Sequence, residues 1–97
     1  MYAERAWALE LDAEVAPAAP GIISSRAAAL ALLLARVPGV DAVSARPHCA
    51  GRFVLVAMTV AAPDLSDAVD QACASLHRCA ADAGLAPVVV VAARQYQ

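Results

Sequence analysis

Apolar and polar residues alternate one by one through residues 6–15. Trp7, Leu9, Leu11, Ala13 and Val15 share one side, and Ala8, Glu10, Asp12 and Glu14 share the other. A period of two is that of a strand with one buried face. After Pro17, Pro20 and Gly21 the period changes, because proline disfavours early helix and glycine permits a tight turn. Ile23, Ala27, Leu30, Leu34 and Val37 then recur at steps of three or four, which marks the buried stripe of a helix. Its start is expected between Ile22 and Arg26, with Ser24 or Ser25 as cap. Arg36 is expected in its last turn, where a cation suits the helix dipole, and Pro38 with Gly39 stops it. The outward side is unusual, since Ala28, Ala29 and Leu32 stand where charges normally lie.

Residues 40–46 read as a short strand, and Pro47, His48, Cys49, Ala50 and Gly51 as a hairpin loop. Residues 53–60 form the most hydrophobic strand, with Val54, Val56, Met58 and Val60 on one face and Phe53, Leu55, Ala57 and Thr59 on the other. Pro63 and Asp64 open a second helix, Asp64 as cap and Asp67 suited to its N-terminus. Leu65, Val69, Ala72, Leu76, Cys79 and Ala83 are expected to be its buried stripe, ended by Gly84. Residues 88–91 read as a buried strand, and residues 94–97 as a polar tail.

Strand–helix–strand thus occurs twice, over residues 7–45 and 52–93. This is the plan of an α+β ferredoxin-like βαββαβ sandwich, a four-stranded antiparallel sheet with two helices on one face. At 97 residues the chain is expected to form this single domain from end to end. In such a sheet the first and third strands are central. The third strand is apolar on both faces while helices cover only one. Dimerisation through the sheet is the simplest way to bury the other.

Composition narrows the function classes. Apolar residues make up 62% of the chain, largely through alanine, which packs but contributes little transfer energy. The net charge is −2 and there is no lysine, so nothing favours nucleic-acid binding, which needs clustered cations. The longest fully apolar run, residues 27–35, is too short for a bilayer, which needs about 18 or more residues; no membrane association is expected. Glu4, Glu10 and Asp12 stand where a secretory signal would need a basic start and an apolar stretch. Cys49, Cys73 and Cys79 are odd in number and not closely paired, which suits a reducing cytoplasm.

Four groups of residues could carry chemistry. Asp70, Cys73 and His77 lie at i, i+3 and i+7 on the second helix, a metal-capable set that needs a fourth group from elsewhere; no metal is expected. His48 and Cys49 adjoin in the hairpin, but nothing evident orients the imidazole toward the thiol. Glu10, Asp12 and Glu14 form an acidic row with side chains roughly 6.5–7 Å apart, which Arg46, Arg52 and Arg94 can pair with, within a subunit or across a dimer. Pro20, Gly21, Ile22 and Ile23 are the best ligand-binding candidates, because amides at a helix start attract anions and glycine admits close approach. No catalytic residues and no cofactor are expected.

At Pro20, Gly21, Ile22 and Ile23 the chain resembles ACT-type amino-acid-binding regulatory modules, whose first strand leads through a Pro-Gly turn into an aliphatic helix start. The resemblance implies a sheet- or edge-paired dimer that binds a small amino acid near Gly21, Ile22 and Ile23. The family often carries an acidic or amide residue two positions before the proline, where this chain has Ala18. A second likeness, over residues 36–76, is to the cytosolic domain of cation-efflux transporters. It rests on Val37, Pro38, Gly39 and Val40, the hairpin from Arg46 to Gly51, and Asp64, Leu65 and Ser66 before a helix. It would imply metal binding and dimerisation, although the histidine often found near the position of Val69 is missing. The leading expectation is a stand-alone, non-enzymatic module that senses a small amino acid or other carboxylate, or regulates a protein partner, as a homodimer or higher homo-oligomer. The alternatives are a structural interaction protein with an empty loop and a small enzyme of the dimeric ferredoxin-like-barrel kind.

Overall fold

The computed structural model describes residues 4–96; Tyr2 and Gln97, the end of the expected tail, lie outside them. The elements follow the order β1 (Arg5–Val15), α1 (Pro20–Leu34), β2 (Val40–His48), β3 (Phe53–Ala62), α2 (Leu65–Asp82) and β4 (Val88–Gln95). The strands form one antiparallel sheet in the order β2-β3-β1-β4, the ferredoxin-like arrangement with β1 and β3 central.

β1 and β3 pair without interruption from Arg5–Ala62 to Glu14–Phe53. That register puts Leu9, Leu11, Ala13 and Val15 beside Val54, Val56, Met58 and Val60 on the face under the helices, all buried as the alternation predicts. Ile23, Ala27, Leu30 and Leu34 of α1 close the core from above, and Leu76, Leu85 and the alanines of α2 complete it. Trp7 sits at one end of this layer and donates its indole N–H to the Ala62 carbonyl at 3.0 Å.

Local chemistry moves several boundaries. α1 begins at Pro20, four or more residues before the expected serine caps. Proline at the first helical position has no N–H to lose and a preset φ, so it opens the helix instead of delaying it. The Ala19 carbonyl takes the N–H groups of both Ile22 and Ile23, and Ser24 and Ser25 lie exposed beyond it. The helix ends at Leu34, so Arg36 stands outside its last turn. Val37 precedes a proline, which pushes it out of helical geometry.

On α2 the buried positions are Ala68, Ala72, Ser75, Leu76, Cys79 and Ala80, with Ala83 just beyond, while the expected Leu65 and Val69 lie half-buried at the flank. Small side chains let this face lie close to the sheet, and larger ones fill the margin. Asp64 caps the helix, accepting from the Asp67 N–H at 2.8 Å. At the other end the Leu85 N–H reaches the Ala80 carbonyl at 2.9 Å and the Gly84 N–H that of Ala81. Gly84, at φ +79°, makes this Schellman closure easy.

β4 is also corrected. It is an edge strand that alternates, with Val88 and Val90 turned inward and Val89 and Val91 more than half exposed. It continues to Gln95, since Arg94 lies opposite Glu10 in register and the ladder has no reason to stop at Val91. β2 runs through Pro47 to His48, and proline is tolerated there because β2 is the other edge.

The β2–β3 turn carries three successive positive φ angles, at Cys49 (50°), Ala50 (55°) and Gly51 (82°). Only the last is glycine, so Cys49 and Ala50 hold a left-handed backbone against their own Cβ. Ala50→Gly is expected to raise unfolding stability by about 0.5–1 kcal/mol, the penalty removed less the added chain entropy. Asp64→Ala is expected to lower it by about 1 kcal/mol through loss of the cap. Urea unfolding followed by circular dichroism checks both signs.

Candidate functional site

The β1–α1 connection, the β2–β3 hairpin and the α2–β4 loop all meet at one end of the sheet. The Val15 N–H donates to the Arg52 carbonyl at 3.1 Å, which ties the end of β1 to the hairpin. Beside that tie lies a groove of about 400 Å³. Its walls are Val15, Pro17, Ala18, Pro87 and Val89, its floor includes the hairpin residues Ala50 and Gly51, and Glu14 and Arg52 supply one charge of each sign. Neither forms a salt bridge among the described residues.

A second groove, also about 400 Å³, lies on the other side of the hairpin. Pro20 and Ser24 of α1 face Pro47, His48 and Cys49 across it, and it shares Ala50 and Gly51 with the first. Two candidates that are far apart in the chain, the start of α1 and the His48–Cys49 pair, are thus neighbours here. Gly51 turns the hairpin there at a φ of +82°, which suits glycine, and a Cβ on it would stand at an ordinary contact distance of 3.7 Å from Ile23 Cγ1.

The four expected binding residues divide. Pro20 lines a groove, Gly21 is exposed, Ile22 is 46% exposed, and Ile23 is fully buried in the core. The amides of Ile22 and Ile23 already serve the Ala19 carbonyl. Gly21 therefore contributes the free N–H of this first turn, a weaker anion site than several open amides would make. His48 ends β2 and Cys49 begins the turn, both exposed, with no hydrogen bond between their side chains among the described residues.

On α2, Asp70 and His77 are exposed and Cys73 is half-buried; among the described residues no three His, Cys, Asp or Glu side chains converge as a metal site requires. Burial raises the Cys73 thiol pKa, and the Asp70 carboxylate adds to the effect. Burial likewise raises that of Cys79, with Arg78 opposing and Asp82 reinforcing. All three cysteines are free.

The acidic row lies on the sheet face away from the helices. Arg94 bridges two of its members, Glu10 at 2.7 Å and Asp12 at 3.2 Å. Hydrogen bonds to Asp12 first, then Glu10, raise the pKa of the guanidinium. Arg46 and Arg52, the other expected partners, form no salt bridge among the described residues. Arg46 instead borders a basin of about 330 Å³ with Glu10, Ser44, Leu55, Ala57 and Tyr96.

The wall that the sequence reading missed is Pro87 and Val89. Their place beside Arg52 depends on how β4 pairs with β1, which hydrophobic patterning does not show. Searched against family models, curated proteins and solved structures, the chain matches none. No helix among the described residues is long and apolar enough to cross a membrane.

At pH 8 an alkylating reagent is expected to label Cys49 well before Cys73 and Cys79, which are less exposed and held as thiols. A raised thiol pKa in the folded state contributes stability that is complete below the ordinary value near 9.0 and lost as pH rises past it. Urea midpoints should therefore fall between pH 8 and pH 10, and fall less in a Cys73→Ala, Cys79→Ala double variant. Mass spectrometry of the labelled chain and the two midpoints check these outcomes.

Proposed function

We propose that this chain is a non-enzymatic, homo-oligomeric regulatory module that holds a small zwitterion, of the amino-acid class, at the end of its sheet. The observation that carries this reading is the groove in which Glu14 and Arg52, both without a salt-bridge partner among the described residues, face a space walled by Val15, Pro17, Ala18, Pro87 and Val89. A guanidinium matches a carboxylate in two parallel hydrogen bonds, a carboxylate matches an ammonium, and the apolar wall takes a short aliphatic side chain. Pro20, across the hairpin, lines the neighbouring groove, which shares Ala50 and Gly51 with this one. A reducing, cytoplasmic setting suits the three free cysteines.

Occupancy of such a groove would stiffen the hairpin and the start of α1 together, since Gly51 lies against Ile23. Nothing in the arrangement pairs an acid with a base over a reacting atom, which is why binding is favoured over catalysis.

Thermal unfolding in the presence of a panel of amino acids and simple carboxylates tests the proposal. A ligand at one hundred times its Kd adds about 2.7 kcal/mol, which raises the Tm of a domain this small by several degrees or more. One or more small zwitterions should do so, with the shift abolished in Arg52→Gln and reduced in Glu14→Gln. A panel that leaves Tm unchanged in the wild-type protein would end this reading.

A further inference from the structure

The face of the sheet opposite the helices is divided by strand. β2 presents Asp41, Ser44, Arg46 and His48 to it, β3 presents Phe53, Leu55, Ala57 and Thr59, and β1 presents Ala8, Glu10, Asp12 and Glu14. Arg46 of β2 and the carboxylates of β1 therefore flank the apolar strand, and Asp41 lies at the far end of β2, opposite Thr59 and beyond the acidic row. The ladder also puts them in common rows. Arg46, Leu55 and Asp12 stand in one row, His48, Phe53 and Glu14 in the next, and Ser44, Ala57 and Glu10 in the third.

Within one chain Arg46 and the acidic column are two strand spacings apart, about 9.6 Å, and among the described residues the ion pairs of this face are those of Arg94 with Glu10 and Asp12. A two-fold axis running along β3 changes this. It keeps each row in place while exchanging left for right, so the β2 of a second copy comes over β1. Arg46 then meets Asp12, His48 meets Glu14, Ser44 meets Glu10, and Leu55 and Ala57 meet their own counterparts. That is the self-complementarity an isologous interface requires, each residue contacting a partner that returns the contact.

We infer that the open face is a dimer interface whose occupant is a second copy of this chain, packed sheet to sheet about an axis along β3. The half-buried state of Phe53, Leu55, Ala57 and Thr59 fits this, since these side chains are already drawn together but lack a covering layer. The basin bordered by Glu10, Ser44, Arg46, Leu55, Ala57 and Tyr96 gives the opposing side chains a recess to enter. The inference deepens the self-association in the proposed function and does not depend on the ligand. Glu14 and His48 border the grooves at the end of the sheet, but Arg46 and Leu55, the residues changed in the test, line neither, so ligand-induced stabilisation is read separately.

Sedimentation equilibrium of the full chain, from low to high micromolar concentration and at low and high salt, tests it. The expected result is a monomer–dimer equilibrium whose Kd rises with salt, as exposed pairs are screened. Arg46→Glu should weaken the dimer by at least about tenfold, since it sets like charges against each other. Leu55→Lys should abolish it, while Leu32→Lys on the outer side of α1 should leave it intact. A monomer throughout would overturn the inference, as would a dimer indifferent to salt and to Arg46→Glu, or one lost in Leu32→Lys. Arg46 is exposed at a sheet edge, so that variant and the salt series remain decisive even if Leu55→Lys unfolds the chain.

Discussion

The unbroken pairing of β1 with β3 is the constraint on which the rest of the molecule depends. Because side chains alternate across a sheet, one register decides two surfaces at once. It puts Leu9, Leu11, Val54, Val56, Met58 and Val60 beneath the helices, and the same register ranks Glu10, Asp12 and Glu14 beside Ala57, Leu55 and Phe53 on the reverse. A slip of one residue would bury three carboxylates and expose the core. It would also undo the tie from Val15 to Arg52 that forms the groove at the sheet's end.

Much of this is legible in the residues because the central strands alternate so strictly. Helix α1 shows its buried stripe equally well, at Ile23, Ala27, Leu30 and Leu34. What is hidden are the places where one residue type serves two purposes. Pro20 reads as a breaker and acts as a helix opener. On α2 the face against the sheet is built from Ala68, Ala72, Ser75 and Ala80, and alanine leaves little periodic signal beside Leu65 and Val69. Val88 to Val91 reads as uniformly apolar, and only the sheet order reveals an edge strand with two valines turned outward.

The candidate site shows the same division. Its chemical parts can be named from the chain: Glu14 ends the acidic alternation, Arg52 follows the hairpin glycine, and Pro20 opens α1. Their convergence cannot, because it needs the hairpin to fold back until Gly51 lies near Ile23 and the α2–β4 loop to bring Pro87 alongside. The acidic row was expected to find arginines, and it finds Arg94 from the neighbouring strand at 2.7 and 3.2 Å. Arg46 lies one strand too far to share in that, which leaves it for the proposed second copy.

A small chain with a thin, alanine-rich core gains from any layer laid on its exposed sheet, and from any ligand that pins the hairpin to α1. The proposed second copy would cover the sheet, and the proposed ligand would fill the groove at its end. Native mass spectrometry of the freshly purified protein tests that account most directly. It predicts an ion of twice the chain mass that carries a small adduct, released on mild activation. A bare single chain at every concentration sprayed would contradict it.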